Sequence, residues 1–270
     1  MKIKKLDHLS QIYNDYDAFL IDLWGVMHNG IRLNDSAIHA VKQLEEKGKR
    51  IVFLSNAPRP TKKVVEFLKK LKMEEKFLKN VLTSGEAAMS SLKKNKFGEK
   101  FYHLGPQRDD SLFLDIKKNK TTLEKCDFIL CTGLFDEEEE NLKYYENLLK
   151  DFTKRKLVCT NPDLIVHRGG EEEYCAGKVA EIFEKLGGEA VYFGKPHKEV
   201  YLSCLKPNQK TLVIGDNLKT DIQGANNMGL DSIFITSGVH KSKINNEEVI
   251  EKLLKDHNVS ANYFQNELSW

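Results

Sequence analysis

The stretch that decides the fold is residues 19–30, Phe-Leu-Ile-Asp-Leu-Trp-Gly-Val-Met-His-Asn-Gly. With Ala18, its first residues form a short apolar run that predicts a buried β-strand ending at a single acid, Asp22. Gly25 and the pair Asn29-Gly30 follow, and such residues mark a turn. In open parallel α/β sheets, ligands bind beyond the carboxyl ends of the strands, so Asp22 is a candidate functional residue. An Asp that only caps a turn would produce the same local pattern.

The overall composition is that of an ordinary globular protein. The chain has 270 residues, of which 40% are hydrophobic and 30% charged. Its formal net charge of +2 is too small to create a field that would recruit nucleic acid or an anionic membrane surface. Any positively charged binding site must therefore be local.

The cysteines and the apolar segments indicate the compartment. The five cysteines lack the paired short spacing of a zinc site, and their odd number argues against a disulfide framework. The amino-terminal residues carry positive charge without the apolar run of a signal peptide, and no apolar stretch is long enough to span a bilayer. We therefore expect a soluble cytoplasmic protein with reduced thiols.

Periodicity after the opening strand predicts a parallel sheet covered by helices. Residues 37–48 have an amphipathic helical pattern, and residues 50–54 form an apolar run that ends in Ser55-Asn56. A second helix is predicted over 61–71, followed by a strand over 81–85. Strands and helices that alternate with short connections are typical of a parallel α/β sheet with right-handed crossovers.

The middle of the chain is less regular than its two ends. Strands are predicted over 101–105, 128–133 and 157–159 and a helix over 176–186, whereas clean alternation returns after residue 189. This pattern indicates an inserted domain. The predicted architecture is a Rossmann-like α/β core formed by residues 1–84 and 189–270, with an α/β domain inserted over residues 85–188.

Polar residues follow four of the predicted core strands. They are Asp22, Ser55 with Asn56, Lys195, and Asp216 with Asp221. Neighbouring carboxylates repel one another unless a cation lies between them, and oxygen ligands together with a phosphate suit Mg²⁺. A lysine and a hydroxyl can hold the other oxygens of a phosphoryl group, and a carboxylate can act as a nucleophile.

With these motifs in order, the chain resembles the haloacid dehalogenase (HAD) superfamily and its class IIA branch, which includes NagD-like sugar phosphatases. The matching motifs are Asp22-Leu23-Trp24-Gly25-Val26, Phe53-Leu54-Ser55-Asn56, Gly194-Lys195-Pro196, and Gly215-Asp216 with Thr220-Asp221. Class IIA members insert a C2-type cap between the second and third motifs, and Asn161-Pro162-Asp163 resembles a turn of that cap. Each motif alone is weak, but four in order at strand ends are specific.

The resemblance implies a role for each of these residues. Asp22 would be the nucleophile, Ser55 would donate a hydrogen bond to the phosphoryl group, and Lys195 would neutralise charge. The implied Mg²⁺ ligands are Asp22, the backbone carbonyl of Trp24 and Asp216, with Asp221 and Asn217 in the surrounding shell. The implied substrate-binding residues are Ser55, Asn56, Asn161 and Asp163, and the active site would lie where cap and core meet.

Trp24 departs from the family pattern. Phosphatases of this superfamily carry a second aspartate two residues after the nucleophile, which protonates the leaving oxygen and later activates water. An indole has no titratable proton near neutral pH. Since general acid–base catalysis contributes typically ~10²–10⁴-fold, its loss would slow turnover without abolishing metal or phosphate binding.

Three interpretations of Trp24 follow. The leaving group could need little protonation, as in an acyl or aryl phosphate; His28 in the same loop could replace the missing acid; or the protein could bind a phosphorylated metabolite with little activity. The predicted function is Mg²⁺-dependent hydrolysis of a small phosphorylated metabolite, a sugar phosphate being one candidate, through a phospho-Asp22 intermediate. The binding protein is the alternative. A homodimer is an open option, and the segment 167–170 could contact a substrate anion or form a solvated loop.

Overall fold

The computed structural model describes residues 3–168 and 171–270, without the side chains of residues 166–168, 171 and 172. The chain divides into two compact units. The first contains Met1–Ser55, Val65–Leu82 and Lys195–Trp270, and the second contains Asn56–Val64 and Thr83–Gly194. The architecture is that of a parallel-sheet α/β protein with an inserted α/β domain, as the sequence predicts.

The strands of the described chain form two parallel sheets and one hairpin. In chain order they are β1 (Lys4–Lys5), β2 (Ala18–Ile21), β3 (Arg50–Ser55), β4 (Val81–Thr83), β5 (Phe101–Leu104), β6 (Phe128–Cys131), β7 (Lys156–Cys159), β8 (Ile165–Arg168), β9 (Glu171–Tyr174), β10 (Glu189–Tyr192), β11 (Thr211–Gly215), β12 (Asp231–Ile235) and β13 (Tyr263–Gln265).

The α-helices alternate with these strands over much of the chain. They are α1 (Asp35–Glu46), α2 (Thr61–Lys70), α3 (Glu75–Leu78), α4 (Ser84–Leu92), α5 (Leu142–Leu149), α6 (Ala176–Lys185), α7 (Lys198–Leu202), α8 (Gln223–Asn227) and α9 (Glu247–Asp256). Single 3₁₀ turns connect several of them, and Leu218–Ile222 forms one π-helical turn before α8.

The sheet of the first unit has the strand order β1-β13-β12-β11-β2-β3-β4. Strand β2 lies between β11 and β3 and pairs with both in parallel, and all four of its residues are buried. A central parallel strand has both faces covered, which explains why β2 is a continuous apolar run without alternation. This position also places the residue after β2 between two other strand ends.

Helix α1 shows how local sequence sets an element of this unit. The Asn34 side chain accepts a hydrogen bond from the Ser36 backbone N–H at 3.2 Å and so caps the first turn. The buried face is formed by Ala37, Ala40, Val41 and Leu44. The helix ends before Gly48, whose φ of +69° is costly for residues with a β-carbon.

The second unit has its own parallel sheet, in the order β10-β7-β6-β5, and the antiparallel hairpin β8-β9. Its core is a separate apolar cluster that includes Ile129, Leu157 and Phe183. Strand β10 differs from the expectation that residues from 189 onward belong to the core. It pairs in parallel with β7, with Val191 opposite Val158. A four-residue apolar strand carries no signal that distinguishes one sheet from another.

The end of β4 also differs from the predicted strand over 81–85. The strand stops at Thr83, whose side chain accepts a hydrogen bond from the Glu86 N–H at 3.1 Å and so caps α4. Gly85 packs closely on the backbone at the start of this helix, since a β-carbon there would come within 2.3 Å of the Pro58 carbonyl oxygen. Gly85, predicted as the last residue of the strand, therefore lies in the first turn of α4 and permits this close contact.

Two further observations bear on the sequence expectations. All five cysteines are buried free thiols. None of the helices in the described ranges combines the length with the apolar composition that crossing a bilayer requires.

A buried histidine in the second unit makes its stability pH-dependent. The His103 ring packs on Phe113 with centroids 4.6 Å apart, and its Nε2 lies 2.9 Å from Thr132 Oγ1. Burial, assisted by the charge of Lys120, lowers its pKa from 6.5 to about 4. Because the folded-state pKa is depressed, the stabilisation is complete above pH 6.5 and is lost as the pH falls towards 4.

We therefore expect His103→Gln to flatten the acid side of the stability profile. Between pH 6.5 and 4.5, its free energy of unfolding should fall less steeply than that of the unmodified protein, by up to about 1.4 kcal/mol per pH unit. The measurement is chemical denaturation at a series of pH values. The control is His39→Gln, at an exposed position of α1. Equal slopes for all three proteins would contradict the role of His103.

Candidate active site

The candidate site begins where three neighbouring strands of the first unit end. Ile21 lies opposite Ile214 of β11 on one side and Phe53 of β3 on the other. Asp22 follows β2 directly, and its backbone N–H donates to the Ile214 carbonyl at 2.9 Å. Asp216 follows β11, and Ser55 is the last residue of β3. The sheet register thus brings polar residues from distant parts of the sequence to one edge.

Three carboxylates and one ammonium group meet at this edge. Carboxylate oxygens of Asp22, Asp216 and Asp221 all lie within 4.8 Å of one another. Lys195 Nζ donates hydrogen bonds to Asp22 Oδ1 at 2.5 Å and to Asp221 Oδ1 at 2.7 Å. All four residues are at most 9% exposed. The structure therefore brings together the residues predicted to be the nucleophile, the lysine and the acids of the fourth motif.

Two glycines leave the space that the Asp216 carboxylate occupies. A β-carbon at Gly25 would come within 2.1 Å of Asp216 Oδ2, and one at Gly238 within 1.9 Å. The backbone N–H of Val239 donates to the same oxygen at 2.7 Å. Side chains at these glycines would displace the carboxylate, so both positions require glycine for steric reasons. Gly25 also has a φ of +85°, which favours glycine independently.

The Asp221 carboxylate is positioned by the turn between β11 and α8. The backbone N–H of Asn217 donates to Asp221 Oδ2 at 3.2 Å, and the Asp221 N–H donates to the Asn217 carbonyl at 3.0 Å. The Asn217 side chain caps the turn by accepting from the Lys219 N–H at 2.9 Å. Asn217 therefore orients Asp221, and its backbone makes the contact.

Burial and the crowding of like charges shift the pKa values of this cluster. Burial, followed by the nearby charge of Asp221, raises the pKa of Asp216 to about 7. Burial also raises the pKa of Asp22 well above its usual value, although the Lys195 ammonium opposes this shift. Burial alone would lower the pKa of Lys195, but the Asp22 and Asp221 carboxylates outweigh it and hold the lysine protonated. The raised pKa values show that ionising Asp22 and Asp216 together is costly unless further positive charge is present.

The donor set fits a divalent cation. Three carboxylates share this buried place with a single ammonium group, so a divalent cation would supply the positive charge that lets them ionise together. Uncompensated buried charge is costly, whereas hard oxygen donors are the ligands that Mg²⁺ prefers. Asp221 offers a carboxylate oxygen within the same 4.8 Å limit as Asp22 and Asp216, although the family resemblance assigns it to the surrounding shell.

Trp24 lies in the loop that follows Asp22 and is 57% exposed. Its indole meets the His28 ring edge-to-face with centroids 5.2 Å apart, and a β-carbon at Gly30 would come within 2.5 Å of the indole. His28 in turn packs on Phe67. The loop is closed by the Gly25 N–H, which donates to the His28 carbonyl at 2.9 Å.

His28 has the environment of a structural histidine. It is 5% exposed, and its Nδ1 accepts a hydrogen bond from the Gly30 N–H at 3.1 Å. Burial lowers its pKa from 6.5 to about 4, so the ring is neutral at physiological pH. A neutral imidazole whose Nδ1 already accepts a backbone hydrogen bond has no readily released proton. This geometry argues against His28 as the replacement for the missing acid.

The other predicted binding residues lie in the second unit, except for Ser55. The Asn56 side chain donates to Asp163 Oδ1 at 3.1 Å, and the Asp163 N–H donates to Asn161 Oδ1 at 3.0 Å. Asn56, Asn161 and Asp163 therefore form one hydrogen-bonded group, while Ser55 lies half-buried at the end of β3. Of the segment 167–170, Gly169 and Gly170 and the side chains of His167 and Arg168 lie outside the described residues.

Sequence reasoning missed the contribution of residues 236–239. The segment Thr236-Ser237-Gly238, which follows β12, is not among the predicted site residues, yet Gly238 and Val239 contact the Asp216 carboxylate directly. The available signal was a Ser-Gly pair at the end of a buried core strand, the same context that identified the other site residues.

Comparison with known families and structures agrees with this arrangement. Residues 19–116 match the haloacid dehalogenase-like hydrolase family, and residues 192–257 match the HAD-hydrolase-like family. These two segments contain Asp22, Ser55, Lys195, Asp216 and Asp221. The unmatched segment between them lies entirely within the second unit.

Relatives and solved structures extend the match to nearly the whole chain. The chain is 25% identical to the 5'-nucleotidase YutF of Bacillus subtilis, over 84% of this chain and 89% of that protein. It is also 25% identical to an acid sugar phosphatase of Staphylococcus haemolyticus, over 83% and 87%. A crystal structure of a haloacid dehalogenase-like hydrolase from Brucella suis 1330 superimposes with a TM-score of 0.79 and 28% identity, over 97% of this chain and 99% of that one. The chain belongs to the haloacid dehalogenase superfamily, in the class IIA branch that includes the NagD-like sugar phosphatases.

Proposed function

We propose that this protein is a Mg²⁺-dependent phosphatase that hydrolyses a small phosphorylated metabolite through a phospho-Asp22 intermediate. The observation that carries this proposal is the buried cluster of Asp22, Asp216 and Asp221 around Lys195. A carboxylate nucleophile, a fixed ammonium group and further carboxylates that can hold a divalent cation are what phosphoryl transfer to an aspartate requires.

Each residue of the cluster has a distinct part in this chemistry. Asp22 would attack the phosphorus atom, the bond to the leaving oxygen would break, and water would then hydrolyse phospho-Asp22. Lys195 holds the Asp22 carboxylate in place and would neutralise part of the charge of the phosphoryl group. Ser55 would donate a hydrogen bond to that phosphoryl group. Asp22, Asp216 and the Trp24 backbone carbonyl, with Asp221 and Asn217 around them, would hold Mg²⁺, which when bound supplies positive charge for the phosphoryl oxygens.

The second unit is proposed to determine the substrate, as a C2-type cap. Asn161 and Asp163 provide a side-chain amide and a carboxylate, held together with Asn56, that can bind hydroxyl groups of a small polar molecule. The names of the two relatives, a 5'-nucleotidase and an acid sugar phosphatase, make nucleoside monophosphates and sugar phosphates the first candidates.

The test of this function is release of inorganic phosphate from a panel of nucleoside monophosphates, sugar phosphates and aryl phosphates, with Mg²⁺ and with EDTA. We expect Mg²⁺-dependent turnover of at least one compound. A protein that binds members of the panel without releasing phosphate would instead be the phosphometabolite-binding protein that Trp24 suggests. Turnover that persists in EDTA would contradict the metal dependence.

Gly25, which leaves space for the Asp216 carboxylate, offers a sharper test of the metal site. In Gly25→Ala the new β-carbon must displace the Asp216 carboxylate, so we expect Mg²⁺ to no longer raise the melting temperature and activity to fall by roughly 10²-fold or more. The control is Gly229→Ala, which has a similar φ of +66° but no heavy atom within 4 Å of the added carbon. That variant should lose only about 1 kcal/mol of stability and retain Mg²⁺ binding.

A further inference from the structure

We propose that the substrates of this site are phosphate compounds whose leaving oxygen departs as a stable anion, such as acyl and aryl phosphates. This inference rests on the proposed function, and it moves the expected substrates away from nucleoside monophosphates and most sugar phosphates, whose leaving oxygen would depart as an alkoxide.

The side chain at position 24 cannot act as an acid. Trp24 lies two residues after Asp22, and its indole N–H does not titrate. The indole is also held in a fixed setting, edge-to-face on His28 and closely packed over Gly30. Trp24 is therefore packed against the loop that follows Asp22. At this loop position no side chain can donate a proton to the leaving group.

Two of the polar side chains near Asp22, Lys195 and His28, already make hydrogen bonds to other groups of the protein. The Lys195 ammonium donates to both Asp22 and Asp221. His28 accepts the Gly30 N–H at Nδ1, and its ring makes edge-to-face contacts with both Phe67 and Trp24. Lys195 therefore cannot give a proton to a leaving oxygen without breaking one of these contacts, and Nδ1 of His28 is already occupied.

The chemistry of the first step follows from this arrangement. A carboxylate oxygen of Asp22 forms a bond to phosphorus, and the bond between phosphorus and the leaving oxygen breaks. Because no acid donates a proton, the leaving group keeps the electron pair and departs as an oxyanion. An alkoxide is a poor oxyanion, whereas a carboxylate or a phenolate is a good one, so the rate should depend strongly on the leaving group.

The second step should be slow for every substrate. Water attacks the phosphorus of phospho-Asp22, the bond to Asp22 breaks, and the proton of the water passes to the phosphate formed or to solvent. The same missing group would have served as the base in this step. Phospho-Asp22 should therefore accumulate with good substrates, giving a burst of leaving group and a common kcat.

The experiment measures kcat/KM for acetyl phosphate, 4-nitrophenyl phosphate, phenyl phosphate and glycerol 3-phosphate, with Mg²⁺, for the unmodified protein, Trp24→Asp and Trp24→Asn. For the unmodified protein we expect kcat/KM to fall steeply as the leaving-group pKa rises, and 4-nitrophenol to appear in a burst. Trp24→Asp should raise kcat/KM for glycerol 3-phosphate by roughly 10²-fold or more and flatten the dependence.

Trp24→Asn is the matched control, because it removes the indole and has the shape of Asp without its titratable proton. It should leave the steep dependence unchanged. Equal kcat/KM of the unmodified protein for alkyl and aryl phosphates would overturn the inference while leaving the phosphatase function intact. If neither the unmodified protein nor Trp24→Asp releases phosphate from any of the four compounds, the proposed function itself fails.

Discussion

Asp22→Asn should abolish phosphatase activity while leaving the protein folded and, without divalent cations, more stable. An amide cannot attack phosphorus as a carboxylate does, so we expect turnover of 4-nitrophenyl phosphate to fall by about 10⁴-fold or more. The stability gain follows from the buried cluster. Burial and the neighbouring acids raise the pKa of Asp22 well above its usual value, which means that its ionised form costs folding free energy. The neutral amide removes this cost.

The measurements are steady-state turnover with Mg²⁺ and thermal unfolding in EDTA at pH 7.5. The control variant is Asp151→Asn, at an exposed position of the second unit, which should change neither quantity appreciably. Residual activity above one hundredth of that of the unmodified protein would rule out Asp22 as the nucleophile. A melting temperature below that of the unmodified protein in EDTA would show that the cluster does not carry excess negative charge.

Much of this site could be predicted because its residues follow apolar strands. The continuous run of β2 and the polar residue behind it are both local features, and so are Ser55 behind β3 and Asp216 behind β11. Parallel strands bring such ends to one edge, so the meeting of Asp22 with Asp216 needed only the topology. The order of the four family motifs along the chain then indicated which strand ends belong to the site.

What escaped prediction depends on contacts between segments distant in the sequence. The approach of Gly238 and Val239 to Asp216 is a tertiary contact that no local pattern encodes. Strand β9 was missed because its sequence, Glu-Glu-Glu-Tyr, has low strand propensity and is ordered by pairing with β8. Strand β10 was assigned to the wrong sheet because a short apolar strand fits either. The neutral state of His28 likewise depends on packing against Phe67 from α2.

Lys195→Met should be strongly destabilising, and a second substitution should reverse part of the loss. The lysine is 3% exposed and donates to two buried carboxylates. Removing one partner from a buried charged group typically costs about 3–5 kcal/mol, because the remaining charges are left uncompensated. We expect a loss of this size in urea unfolding at pH 7.5 with EDTA. The control is Lys178→Met, which removes a partly exposed ion pair with Glu181 within α6. It should lower the free energy of unfolding by less than about 1 kcal/mol.

The double variant Lys195→Met with Asp22→Asn separates charge imbalance from lost packing. If uncompensated negative charge causes the destabilisation, removing one carboxylate should restore a measurable part of the stability, and the two effects should be non-additive by roughly 0.5–3 kcal/mol. Additive effects would instead assign the loss to packing of the lysine side chain. Activity should be lost in both variants, since both lack the lysine that contacts Asp22 and Asp221, and the double variant also lacks the proposed nucleophile. Recovery of stability would therefore show that uncompensated negative charge at this site costs folding free energy.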